Sequence, residues 1–84
     1  LRHLDLCKNM CNKLPALPAR LTVLLLQTNL LPSLPELPQE LHTLNVNDNQ
    51  LQSLPGLPAS LHVLQCAFNK ISSLPELPPH LKTL

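Results

Sequence analysis

A chain of 84 residues with a formal charge of +1 and only 13% charged residues carries no electrostatic footprint for nucleic acid or an anionic membrane surface. Its longest unbroken apolar run, Val23 to Leu26, is far too short to span a bilayer. Phe68 is the only aromatic residue, and a single glycine, Gly56, faces ten prolines. A small globule normally fills irregular volume with aromatic side chains. Leucine does that filling here, which suits one layer repeated many times.

Leu1, Leu21, Leu41, Leu61 and Leu81 recur at a spacing of twenty without insertion or deletion. This divides the chain into repeats 1–20, 21–40, 41–60 and 61–80, with a partial repeat 81–84. Seven of the twenty columns are invariant across the four full repeats: Leu at 1, 4, 14 and 17, Asn at 9, and Pro at 15 and 18. Column 6 (Leu6, Leu26, Val46, Cys66) and column 11 (Cys11, Leu31, Leu51, Ile71) stay apolar. The template LxxLxLxxNxLxxLPxLPxx is the signature of an internal repeat.

Taken in chain order, each repeat opens with a short strand. Columns 4 and 6 alternate with 3, 5 and 7, the period-2 pattern of a strand with one buried face. At column 9 the chain must turn away, and Asn9, Asn29, Asn49 and Asn69 stand there. An amide offers both donors and an acceptor, so these asparagines are expected to pair backbone groups that a tight turn leaves open. The LPxLP half excludes a regular helix. Pro15 and Pro18, with Pro35/38, Pro55/58 and Pro75/78, remove donors and push the preceding leucines toward extended backbone. The expected fold is therefore a leucine-rich repeat solenoid: short parallel strands on a concave face, an extended polyproline-like convex side, and no regular helices.

The chain resembles the LPX-type leucine-rich repeats of bacterial type III-secreted effectors of the YopM and IpaH/SspH groups. The resemblance covers the whole chain. Its signature LPxLPxxLxxLxxxxN runs unbroken from Leu14 to Asn29, Leu34 to Asn49 and Leu54 to Asn69. It implies secretion by bacteria into host cytoplasm and a concave sheet that recognises a host protein. In the IpaH/SspH branch it further implies a target-selecting role for a ubiquitin ligase whose catalytic domain lies outside this chain. Other family members are non-enzymatic scaffolds. Further repeats or caps of the same parent chain are expected at both ends.

Columns 3, 5, 7 and 8 are expected to face solvent on the concave side. The candidate partner-binding set drawn from them is Val23, Leu25, Gln27, Asn45, Asn47, Asp48, Val63, Gln65 and Phe68. Solvated positions should be polar, and Val23, Leu25, Val63 and Phe68 are not. Phe68 is the strongest hint, because aromatic residues are enriched at interface hot spots.

No catalytic, cofactor or metal constellation is expected. Asp5, Glu36, Glu40, Asp48 and Glu76 are spread over different rungs and faces, with no acid–base couple among them. His42 and His62 share column 2 one strand spacing apart and read as a solvated pair. His3, Cys7 and Cys11 do not converge, since column 7 points outward and column 11 inward. Arg20 and Glu40 share column 20 and could pair, for about 0–1 kcal/mol. Cys11 and Cys66 occupy leucine columns and are expected to be buried, with only Cys7 open to reagents. Cys7, Cys11 and Cys66 are too far apart for a disulfide, which needs Cα atoms within about 7 Å, and three unpaired thiols suit a reducing cytosol.

Overall fold

The computed structural model describes residues 2–5, 16–72, 75–79 and 81. Expectations placed on Leu1, Leu6, Cys7, Lys8, Asn9, Cys11, Leu14, Pro15, Thr83 and Leu84 lie outside them. Four three-residue strands form one parallel sheet: β1 (His3–Asp5), β2 (Val23–Leu25), β3 (Thr43–Asn45) and β4 (Val63–Gln65). They lie side by side in chain order, and no helix occurs among the described residues.

The register is the sequence period made physical. His3 pairs with Val23, Val23 with Thr43, and Thr43 with Val63, each a shift of twenty residues. Strand entry repeats the same bonds. The amides of Thr22 and Val23 both donate to Arg2 O, those of His42 and Thr43 to Thr22 O, and those of His62 and Val63 to His42 O. Strand exit runs the other way, with Leu26 N donating to Asn45 O and Val46 N to Gln65 O, both at 2.8 Å. The second and third repeats are therefore each bonded to the next before and after the strand.

Columns 1, 4, 6 and 11 build the core. Leu21, Leu24, Leu26, Leu31, Leu41, Leu44, Val46, Leu51, Leu61 and Leu64 are fully buried. Each buried leucine contributes roughly 1.5–3 kcal/mol, and the same four columns supply it in successive repeats. The proline half closes the unit. Leu37 and Leu54 are buried, Leu34 and Leu57 half-buried against the core. Pro18, Pro38, Pro58 and Pro78 accept hydrogen bonds from Leu21, Leu41, Leu61 and Leu81 across a two-residue turn. A proline can accept but not donate, so it suits the first position of such a turn.

The column-9 asparagines act as their chemistry requires. Asn49 Nδ2 donates to Leu26 O (3.0 Å) in the preceding repeat and to Val46 O (3.1 Å) in its own, while its Oδ1 accepts from Leu31 N. Asn69 repeats the arrangement with Val46 O, Cys66 O and Leu51 N. One buried side chain thus satisfies backbone groups on two repeats.

Two expectations are corrected. Cys66 is half-buried rather than buried, whereas its column partners Leu26 and Val46 are inaccessible to solvent. Arg20 and Glu40 are both exposed and form no ion pair; two long solvated side chains gain little by holding one geometry.

Candidate functional site

The sheet presents one covered and one open face. Along β2, β3 and β4 the central leucine is buried and its two neighbours are half-exposed. Val23, Thr43 and Val63 form one row across the open face, and Leu25, Asn45 and Gln65 form the next. Gln27 and Asn47, just beyond the strands, are half-buried, and Ala67 is exposed. None of these residues is charged. Apolar, hydroxyl and amide side chains share these positions from the second repeat to the fourth.

Local bonding orders the amides. Asn45 Oδ1 accepts from Asn47 N (3.0 Å), and Asn47 Oδ1 accepts from Ala67 N (2.7 Å) in the next repeat. With both oxygens held by backbone, the two carboxamides cannot reorient without losing a bond. Gln27 differs: its Oε1 is buried without a hydrogen-bond partner. A buried unpaired acceptor costs about 1–3 kcal/mol, which marks Gln27 as the least settled polar group on the face.

Column 8 does not continue the strand. Thr28, Asp48 and Phe68 have φ of 61°, 60° and 58°, the left-handed region. The backbone reverses there, and the three side chains stand at the rim of the open face. Asp tolerates this conformation, but a β-branched or bulky residue is a genuine outlier in it. Phe68 is also 83% exposed. That exposure does not come from lying in the fourth repeat, because Thr28 and Asp48 are exposed with a repeat on either side. The sole aromatic ring therefore stands in water on a backbone that does not favour it.

The remaining polar features are structural. His42 and His62 are not merely solvated. Their rings stack at 4.5 Å with 12° between planes, His42 Nδ1 lies 3.0 Å from Thr43 Oγ1, and His62 Nδ1 lies 2.7 Å from Ser60 O. Since a carbonyl only accepts, His62 Nδ1 carries a proton. Ser60 Oγ lies 2.9 Å from Gln39 O and 2.7 Å from Leu41 O, tying the third repeat to the second. Column 20 reads Arg20, Glu40, Ser60 and His80, and nothing in that series signals a bridging hydroxyl. Burial pushes the Cys66 thiol above its ordinary value, which lowers its reactivity. No group of three or more His, Cys, Asp or Glu side chains able to hold a metal occurs among the described residues.

No protein-family model and no curated protein sequence matches the chain.

Proposed function

We propose that the chain is a leucine-rich repeat solenoid with a polyproline-like outer side, and that it acts as a protein-recognition module. Its open sheet face and the column-8 rim meet the partner. The observation that carries this reading is Phe68, an aromatic ring 83% exposed at a left-handed backbone position. The left-handed turn is shared with Thr28 and Asp48 and belongs to the repeat, whereas the exposed ring at that turn serves no packing. Left-handed backbone costs a non-glycine residue roughly 1–2 kcal/mol, and an exposed ring leaves its apolar surface in water. The half-exposed Val23, Leu25 and Val63 extend the apolar area inward, and the amides of Asn45, Asn47 and Gln65 supply hydrogen bonds between them.

The repeated LPxLP signature supports placing the module in a bacterial effector that acts on a host protein in host cytoplasm. With Asp48 at the rim as its one formal charge from the second repeat to the fourth, the contact surface further implies association with little electrostatic steering, and therefore weak dependence on salt.

The test is capture of a partner from host-cell lysate by the protein and its variants. Leu25→Glu and Phe68→Glu should each reduce capture by roughly 30-fold or more, the scale of a hot-spot loss of about 2 kcal/mol. Glu36→Lys on the proline side should leave it unchanged, and circular dichroism should show all three variants folded. Capture lost only in Glu36→Lys would move the binding surface to the proline side. A steep fall in capture between low and physiological salt would contradict the open face and its rim as the contact.

A further inference from the structure

We draw no further inference here: the strongest candidate, the stacked His42–His62 pair at the entry to β3 and β4, has rings too nearly parallel (12°) for their nitrogens to converge on one ion, and no third ligating side chain joins it among the described residues.

Discussion

The third and fourth repeats use the same template and differ in environment. In the third, Val46 and Leu51 are inaccessible to solvent and Asn49 is 7% exposed. In the fourth, the same columns hold Cys66, Ile71 and Asn69, all half-buried. Column 17 shows the same trend, from Leu37 at 4% in the second repeat to Leu77 at 43% in the fourth. Burial therefore belongs to the interface between repeats rather than to a repeat itself. Each unit is finished by its neighbour, and the energetics should follow nearest-neighbour contacts.

The largest expected effect tests that directly. Leu51→Ala removes a fully buried side chain flanked by repeats on both sides and should cost about 2–5 kcal/mol. Ile71→Ala, in the same column, should cost half of that or less, because part of Ile71 already contacts water. Urea denaturation of both variants provides the comparison. Equal losses would mean that each repeat is stabilised from within, and the neighbour account would fail.

A smaller effect separates the asparagines. Asn49→Ala takes the acceptor from Leu31 N and one of two amide donors each from Leu26 O and Val46 O, which keep Asn29 Nδ2 and Asn69 Nδ2. The cost should be about 1–3 kcal/mol. Asn69 makes equivalent bonds to Val46 O, Cys66 O and Leu51 N, but water can reach that site and replace part of what is lost. Its alanine variant should be measurably milder. Hydrogen exchange sharpens the point: the Leu31 amide should lose protection in Asn49→Ala, and the Leu51 amide in Asn69→Ala.

The parts of this architecture legible in the sequence are those imposed at every repeat. Leu24, Leu44 and Leu64 had to face one way because a strand alternates, and an invariant Asn had to serve backbone because no other chemistry needs it at that spacing. Three features were not legible. The left-handed turn at column 8 was hidden by its occupants, since neither Thr28 nor Phe68 is a residue that signals positive φ; only Asp48 hinted at it. The Ser60 bridge was hidden because its column is otherwise charged or imidazole. The half-exposure of Cys66 and Ile71 depends on which repeat packs beside them, which a column pattern does not encode. For the candidate site, the rows Val23–Thr43–Val63 and Leu25–Asn45–Gln65 were readable from alternation, whereas the placement of Asp48 and Phe68 at the rim was not.

The rim offers a test in which stability and binding move in opposite directions. Asn accepts left-handed backbone more readily than Phe, so Phe68→Asn should leave stability unchanged or raise it by up to about 1 kcal/mol while lowering partner capture. Thr28→Asn, at the same backbone position one repeat before Asp48, should stabilise by a similar amount. A loss of more than about 1 kcal/mol in Phe68→Asn would show that the ring packs on the fold, and its exposure could no longer support a contact role.

The smallest effect concerns Gly56, where the third repeat departs from its neighbours. Column 16 holds Ala16, Glu36 and Glu76 in the other repeats, so the backbone there accommodates a side chain. Gly56 does not take a positive φ, and a Cβ built on it meets no atom within 4 Å. Nothing in the folded state requires glycine. Its freedom matters chiefly in the unfolded chain, where it widens the ensemble that folding must restrict. Gly56→Ala should therefore stabilise the protein by about 0.4–1 kcal/mol without creating a contact. The gain should appear as a higher urea midpoint at an unchanged m-value, since the surface exposed on unfolding hardly alters. Destabilisation by Gly56→Ala would instead mean that the proline segment of the third repeat does not follow the path of its neighbours, and the equivalence of the repeats would end at that column.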